Sequence, residues 1–512
     1  MAQENQYKWG VVLVACMAIF IIVLDSSAMN VAITTLVVEL NTTLSVIQAI
    51  IALYALIIAS FMLLGSKLQD ILGRKKTFLL GLGIYATGTT IATLSINAGM
   101  LLIGWAVLEG IGAAMILPAT TTRVGASYEG KDRITAFGIW GGIAAVGAAI
   151  GPIVGGIFTT YLTWRLVFAS ELIFVALILI FRHYLTESKP ALKWKDLDIV
   201  GALLSIFSLI LIVLGILLLT KPEFWAYVAT LLISGFILFV IFLLWQRMRI
   251  NKDLEHLSDI SLLKNRLFGL GNLNSVIQQI PLAGFLFIIP VFLQQVTKLN
   301  AFNTGLALLH ASITILLFSL LGAKLSSKLN SKYILMIGFL ISAAGTFILG
   351  GVFNLNTQIV DIVPGTVVFG VGIGFLLSQL TNLTMSAART EQETDASGFL
   401  NAFKNLGYSM GTALIGVLLL IGVFFGLSDG IEASGLAENM TNEQLKDCLF
   451  NYVETMQTEP PQIPSELVPQ ATQIVDSTIS SAMRQTFNTL TLILLLGFIT
   501  SIFIPKNREL NP

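Results

Sequence analysis

The chain has 512 residues, of which 55% are hydrophobic and 11% are charged, and its mean hydropathy is +0.85. Soluble domains carry about 25% charged residues, so this composition excludes an ordinary soluble globular protein. The 29 Lys and Arg residues balance the 29 Asp and Glu residues, which disfavours a nucleic-acid-binding protein because that class needs a basic surface. The sequence therefore predicts a polytopic membrane protein.

Apolar segments long enough to cross a membrane recur along the whole chain. A membrane-spanning helix needs about 20 consecutive apolar residues, and a window of that length predicts about fourteen spans. We therefore expect an all-α integral membrane protein. The predicted spans cover approximately residues 9–36, 44–64, 77–96, 100–122, 134–158, 165–185, 199–220, 224–246, 268–293, 304–323, 333–353, 361–386, 397–427 and 486–504.

One long polar segment, about residues 428–485, separates the last two predicted spans. It holds nine Asp and Glu residues against Lys446 and Arg484. Its middle, residues 445–453, has the apolar spacing of a short amphipathic helix. We interpret the segment as a solvated cap over one end of the helices. The alternative is an acidic lid that collects substrate.

The basic residues are distributed unevenly over the two predicted faces. An even number of spans puts both termini on one face, and 24 of the 29 Lys and Arg residues fall there, Lys404 among them. Basic residues are retained on the cytoplasmic side of membrane proteins. We therefore expect both termini in the cytoplasm and the chain in the plasma membrane. The opposite face keeps five bases, which are Arg165, Lys221, Lys298, Lys446 and Arg484.

The chain contains an internal repeat. Residues 65–89 align without gaps on residues 322–346, an offset of 257 residues, and 10 of the 25 pairs are identical. We interpret this as two six-helix halves, residues 1–190 and 251–512, with two inserted helices in residues 191–250. Duplicated halves are typical of secondary transporters, whose binding site lies between the halves near the membrane midplane. The alternative is a shared loop pattern without common ancestry.

The loop between the second and third predicted spans carries a recognisable motif. Gly65 and Gly73 permit a tight turn, and Asp70 can cap the following helix or pair with Arg74. This loop resembles the signature loop of the major facilitator superfamily. The resemblance implies that Asp70 and Arg74 belong to a latch that breaks and re-forms during alternating access. The alternative is that the bases only anchor the loop at the cytoplasmic face.

A glycine-rich stretch lies in the fifth predicted span. Gly147, Gly151 and Gly155 recur every four residues and form a smooth face for close helix contact. Pro152 bends the helix because it removes a backbone donor. With Gly156, the stretch resembles the antiporter motif of the same superfamily, which occurs mainly in exporters. The alternative is generic packing of small residues.

Further matches link most of the chain to the fourteen-span drug:proton antiporters of that superfamily. Leu24-Asp25 with Asn30 resembles their first-span motif, and Trp164-Arg165 resembles the motif that opens their sixth span. The resemblance implies a major facilitator fold and export of lipophilic or cationic compounds in exchange for protons, or for Na⁺ in their place. We expect no cofactor, no bound metal and a functional monomer.

Four positions depart from the pattern of that family. Ala106 stands where relatives have Arg, and Glu109 stands where they have Gln. Glu171 replaces the usual Asn, and His310 replaces a frequent Pro. Loss of a base and gain of an acid make the predicted cavity more negative, which favours organic cations over anions.

Ionisable residues inside a membrane are costly, so each is a functional candidate. We assign Asp25, Glu109, Glu171 and His310 to proton or substrate coupling, with Asp25 and Glu109 foremost because their spans line the cavity in the resembled transporters. The hypothesis is that Asp25 and Glu109 bind a proton or a cation alternately. The alternatives are a helix–helix hydrogen bond for Asp25, local pairing or permanent protonation for Glu109 and Glu171, and simple hydrogen bonding for His310.

Neutral polar residues in the predicted spans complete the candidate site. We expect five of them to line the cavity as donors and acceptors: Asn30, Gln278, Gln279, Gln379 and Asn382.

Other functions are open at this stage. A transporter of a lipid, an organic anion or a metabolite is the first alternative, and a membrane sensor or a channel is a distant one. An enzyme is excluded as far as motifs show, because the sequence has no HExxH, no Walker A motif and no Cys/His metal spacing.

Overall fold

The computed structural model describes residues 2–128, 130–185, 187, 190–219, 224–326, 328–389, 392–433 and 468–505. In these residues the secondary structure is entirely helical. Long helices, numbered α1 to α14 in chain order, carry the fold. Their bounds are Ala2–Met29, Leu44–Leu72, Arg74–Thr93, Ala98–Val124, Gly130–Tyr161, Arg165–Ile180, Ile199–Leu218, Trp225–Asn251, Arg266–Gln295, Ala301–Leu325, Ser331–Gly350, Ile359–Met385, Glu393–Ala433 and Val468–Ile502.

Thirteen helices of the described chain are long and apolar enough to cross a membrane, and α3 is the long helix outside this set. Its threonines lower its hydropathy, but their hydroxyls bond to carbonyls one turn earlier: Thr87 to Gly83, and Thr89 to Tyr85. Because these hydroxyls are hydrogen-bonded within α3, they need no partner from lipid or from neighbouring helices. With its 20 residues, α3 therefore fits the predicted third span. The prediction of an all-α membrane protein is confirmed.

Two predicted boundaries are wrong. The first span does not continue to residue 36, because α1 ends at Met29 and a separate short helix covers Ile33–Glu39. The predicted solvated segment is shorter than 428–485, since α13 runs to Ala433 and α14 begins at Val468. The amphipathic helix expected at 445–453 lies outside the described residues.

The helices pack as two groups that touch along a shared interface. Helices α1–α6 contact one another, as do α9–α14, while α5 packs on α10 and α2 packs on α13. Helices α7 and α8 pair with each other, and α7 lies against α2 and α13. The division into residues 1–190, 191–250 and 251–512 remains our prediction. We call the side where α1 begins and α14 ends the terminal face, and the side where α13 ends and α14 begins the loop face.

Candidate functional site

Three carboxylates meet inside the first group of helices. Asp25 of α1, Glu109 of α4 and Glu171 of α6 have no solvent exposure. The charges of Glu171 and Asp25 both act on Glu109, so the three form one cluster. The structure therefore brings together three of the four predicted coupling residues. Glu171 is as fully buried as Asp25 and Glu109.

An indole holds Asp25 in place. The Nε1 of Trp105 donates a hydrogen bond of 2.7 Å to one carboxylate oxygen of Asp25. The other oxygen, Oδ1, has no hydrogen-bond partner among the described residues. Trp105 also stacks on Tyr54 at 5.5 Å and meets Phe168 edge-on at 5.7 Å. Asp25 thus combines one fixed oxygen with one oxygen that is free to accept a proton.

Glu109 is the most isolated of the three acids. Both of its carboxyl oxygens are buried and lack a hydrogen-bond partner in the part of the chain that the structure describes. It is also the last residue of a π-helical segment, Leu102–Glu109, within α4. Such segments are rare in proteins and frequently occur at functional sites. Because α3 and α4 touch closely, a Cβ at Gly88 would lie 2.6 Å from the backbone nitrogen of Glu109.

The internal repeat explains the π-helical segment. Gly88 contacts Glu109, and Gly345, its partner at the 257-residue offset, contacts Phe369 in the same way. Likewise Gly104 contacts Ala92, and Gly365 contacts the repeat partner of Ala92, Leu349. Glu109 follows Gly104 by five positions, whereas Phe369 follows Gly365 by four. Helix α4 therefore holds one residue more than α12 over the same stretch, and the π-helical segment accommodates it.

Glu171 is anchored by a tyrosine. The hydroxyl of Tyr85, on α3, donates a hydrogen bond of 2.8 Å to Glu171 Oε2. The second oxygen, Oε1, lacks a partner among the described residues. Asp25 and Glu171 are therefore held in the same manner, each by one aromatic donor.

Polar contacts join the two helix groups in the middle of the bundle. The amide of Asn30 donates to the Tyr408 hydroxyl at 3.2 Å. Ser409 donates to the Ala52 carbonyl at 2.7 Å. Because Asn30 follows Asp25 by about one turn, the first contact links the carboxylate cluster to the second group of helices.

The loop-face end of this interface is closed. Gln294 donates to the Val31 carbonyl at 2.8 Å, and the Phe302 backbone nitrogen donates to the Thr160 hydroxyl at 2.9 Å. Both bonds cross from one helix group to the other.

The glycine motif of α5 forms part of that closure. Gly151 lies against Ser27 and Gly155 against Ala28 of α1, with no room for a side chain. A Cβ at Gly147 would lie 3.3 Å from the Phe20 carbonyl oxygen. The motif therefore packs α5 on α1.

The other side of α5 meets the second helix group. A Cβ at Gly156 would lie 2.8 Å from the Ala301 carbonyl, and the Pro152 carbonyl touches Gly305 of α10. The residues of the predicted antiporter motif thus lie between α1 and α10, at the contact of the two groups.

The terminal-face end is closed as well. Ser66 of α2 donates to the Thr394 carbonyl at 3.0 Å, and the hydroxyls of Thr121 and Ser397 are 2.7 Å apart. With both ends joined, the carboxylate cluster is enclosed in this conformation.

The predicted latch loop lies beside this contact. Gly73 turns the chain with φ 89° at the start of α3. The Asp70 carbonyl accepts hydrogen bonds of 2.8 and 2.9 Å from the backbone of residues 191 and 192. The Asp70 side chain is attracted by Lys67 and Arg74. A Cβ at Gly65 would clash with α4, which fixes where the loop leaves α2.

A strap of residues 252–265 connects both helix groups at the terminal face. Glu255 pairs with Lys67 of α2 at 3.4 Å, and the backbone nitrogen of Asp259 donates to Asp395 of α13 at 3.1 Å. Burial raises the pKa of Asp259, but hydrogen bonds from Ser261 and Gln392 lower it more, so the net pKa lies below its usual value. Asp259 is therefore ionised at neutral pH and holds the strap to Gln392.

His310 lies apart from the cluster. It is exposed on α10, in a row with the exposed Leu306, Ile313 and Leu317. An apolar row of this kind on a membrane helix faces lipid. The structure therefore does not bring His310 to the carboxylates.

The predicted polar lining residues are placed differently from one another. Asn30 joins the helix groups, as described above. Gln278 of α9 is fully buried, and neither of its amide atoms has a partner among the described residues, whereas Gln279 is half-buried beside Gly407. Gln379 donates to the Gly322 carbonyl at 2.9 Å, which ties α12 to α10. Asn382 is exposed.

One partly buried base within a helix was missed by the sequence analysis. Lys404 was counted among the bases of the terminal face, but it lies eleven residues into α13, about 16 Å along the helix. Its Nζ donates to the Thr381 hydroxyl at 2.6 Å. The signal was available, since Lys404 falls inside the predicted span 397–427.

Comparisons with known proteins agree with this architecture. A family model described as the Major Facilitator Superfamily matches residues 15–412. The riboflavin transporter RibZ of Clostridioides difficile is 28% identical over 413 residues, covering 79% of this chain and 87% of that protein. The methylenomycin A resistance protein of Bacillus subtilis is 25% identical over 421 residues, covering 81% and 89%. The multidrug resistance protein Stp of Mycobacterium tuberculosis is 25% identical over 410 residues, covering 79% and 74%.

Solved structures share the fold. A bacterial homolog of the human lysosomal transporter Spinster, in an inward-facing and unoccupied conformation, has a TM-score of 0.60 at 14% identity and covers 97% of this chain and 98% of that chain. The xylose transporter XylE from E. coli, in a partially occluded inward open conformation, has a TM-score of 0.60 at 12% identity and covers 98% and 99%.

Proposed function

Because this chain belongs to the major facilitator superfamily and is a multi-pass membrane transporter, we propose that it is a proton-coupled antiporter that exports lipophilic or cationic compounds. Two relatives with resistance names, the methylenomycin A resistance protein and Stp, support export of toxic compounds. The 24 bases on the terminal face support a cytoplasmic position of both termini in the plasma membrane.

The observation that carries proton coupling is the enclosed carboxylate cluster. An ionised carboxylate without hydrogen bonds is very unfavourable in an apolar interior. Glu109, whose two oxygens lack partners among the described residues, is therefore expected to hold a proton while the cluster is enclosed. Opening of either end lets water reach the cluster, and the proton then equilibrates with that side.

The cluster lies inside the first helix group rather than at its surface. Tyr54, Tyr85, Trp105 and Phe168 surround it, and Asp25 is joined through Asn30 to Tyr408 of the second group. We therefore revise the hypothesis of direct competition. Glu109 and Glu171 carry protons, the substrate binds between the helix groups, and Asp25 connects the two sites. Separation of the groups during alternating access breaks the Asn30–Tyr408 contact and changes the surroundings of Asp25.

The test is transport by purified protein in proteoliposomes. We expect an imposed proton gradient to drive uptake of a cationic dye, and we expect an uncoupler to abolish it. Glu109→Gln should retain dye binding but lose acceleration by the gradient. Asp253→Asn is the matched control, because Asp253 is exposed and its φ of 51° suits Asn. Full gradient-driven transport by Glu109→Gln would refute the coupling role.

A metabolite transporter is the second candidate. It is favoured by the 28% identity to a protein named as a riboflavin transporter. Saturable transport of riboflavin by the same proteoliposomes, competing with the cationic dye, would support this function over drug export.

A further inference from the structure

Lys404 lies on the side of α13 that faces the first helix group. Ser397, Lys404 and Tyr408 are spaced by seven and four residues, so they share one face of the helix. Ser397 contacts Thr121, and Tyr408 contacts Asn30, both in the first group. Lys404 therefore lies along the interface, between two contacts that join the groups.

Lys404 has a neutral hydrogen-bond partner in the part of the chain that the structure describes. Its ammonium group donates to Thr381, and the ion pairs of the described residues do not include it. An ammonium group has three donors, so two remain for other acceptors. A cation at this depth of a membrane protein costs several kcal/mol. A base kept there without an acidic partner points to a ligand that supplies the negative charge.

An acid lies at a similar depth in the first helix group. Both Asp25 and Lys404 come about one turn before the residues of the Asn30–Tyr408 contact, and α1 and α13 both run toward the loop face. The charge of Asp25 acts on Tyr408, which places the acid near this interface. The acid and the base thus lie on opposite sides of one contact, with Asp25 inside the first helix group and Lys404 on the face of α13.

We propose that Lys404 binds an anionic group of the substrate, so that this transporter accepts amphipathic zwitterions as well as simple cations. The carboxylate of such a substrate receives hydrogen bonds from Lys404 and lies beside Thr381. Its cationic end lies toward the first helix group, whose interior holds Asp25. The inference rests on the proposed function only in placing the substrate between the helix groups. It adds a preference for substrates with an anionic group, which the acids of the cluster alone would not produce.

The test uses two dyes that differ by one group. The probes are a rhodamine with a free carboxylate and the methyl ester of the same dye. Equilibrium binding to purified protein is measured by fluorescence anisotropy, without any gradient. We expect Lys404→Gln to weaken binding of the free acid about tenfold, as loss of a charged hydrogen bond does. Binding of the methyl ester should stay within about twofold, and Lys404→Arg should retain both.

Controls keep the result interpretable. Lys264→Gln removes an exposed base outside the site and should change neither affinity. Unchanged binding of the methyl ester by Lys404→Gln shows that the variant is folded. Equal weakening of both dyes, or no change in either, would overturn the proposal. Since the assay involves no proton gradient, its failure is distinct from a failure of proton-coupled export.

Discussion

Trp105 and Asp25 form the link between α4 and α1: the indole nitrogen donates to the carboxylate at 2.7 Å. Trp105 belongs to the π-helical segment that ends at Glu109. A change in the winding of α4 therefore moves the donor of Asp25 together with Glu109. Helix α4 therefore determines both the position of Glu109 and the hydrogen bond that Asp25 accepts.

We predict that Trp105→Phe retains the packing on Tyr54 and Phe168 but leaves Asp25 without its donor. A lost hydrogen bond to a buried charged group costs about 1.5–3 kcal/mol, so thermal stability in detergent should fall. Gradient-driven dye transport should fall about tenfold or more, because Asp25 loses its fixed orientation. Dye transport at the rate of the parent protein would contradict the assigned role.

The contact of α3 with α4 at Gly88 yields a second prediction. Gly88→Val should destabilise the protein by about 1–3 kcal/mol, the usual cost of overpacking, because the added atoms meet the backbone of Gly104 and Glu109. Gly83→Val is the matched control on the same helix, since a Cβ there meets no atom within 4 Å. Thermal unfolding in detergent compares the two, and equal melting temperatures would argue against the close contact.

The glycine motif of α5 can be tested in the same manner. Gly155→Leu should push α5 away from Ala28 of α1 and disturb the α5–α10 contact at the loop-face end of the interface. The expected result is a severalfold increase in passive proton leak across proteoliposomes, read by an internal pH dye without substrate. The control is Gly142→Leu, at a position with open space around its Cβ. A proton leak no greater than that of the parent protein in Gly155→Leu would show that the motif does not close this end of the interface.

His310 provides a prediction of no effect. Because it lies in an exposed apolar row of α10, His310→Leu should leave gradient-driven transport within about twofold of the parent, as surface substitutions do. Loss of coupling in this variant would mean that His310 reaches the pathway in another conformation.

The sequence alone predicted the elements that depend on hydropathy. Asp25, Glu109 and Glu171 stood out because an acid within an apolar run is conspicuous, and the structure does bury all three. The repeat could be detected in the sequence because its glycines lie at close helix contacts that leave no room for a side chain. What could not be predicted was the direction of each side chain, since α10 is apolar on most sides and the facing of His310 does not follow from its sequence.

Two features were within reach of the sequence and were missed. Lys404 was assigned to the membrane surface because basic residues usually lie there, although it stands within a predicted span. The π-helical segment also left a signal: Gly104 and Gly112 are eight residues apart, whereas their repeat partners Gly365 and Gly372 are seven apart. Comparing the spacing of contact glycines between the halves would have located the extra residue.

That extra residue makes α4 different from α12 at one contact that the repeat would otherwise make equivalent. Because one wide turn takes up the surplus residue, the helix beyond it stays in register: Gly112 contacts Tyr85, and Gly372 contacts Ser342, the repeat partner of Tyr85. In α12 the position equivalent to Glu109 is Phe369, which stacks on Phe285 at 4.6 Å. The two helix groups therefore differ at this repeat-related contact, since one has a carboxylate where the other has a stacked ring. Under the proton coupling that we propose, the helix with the extra residue is also the one that carries a protonatable side chain at this contact.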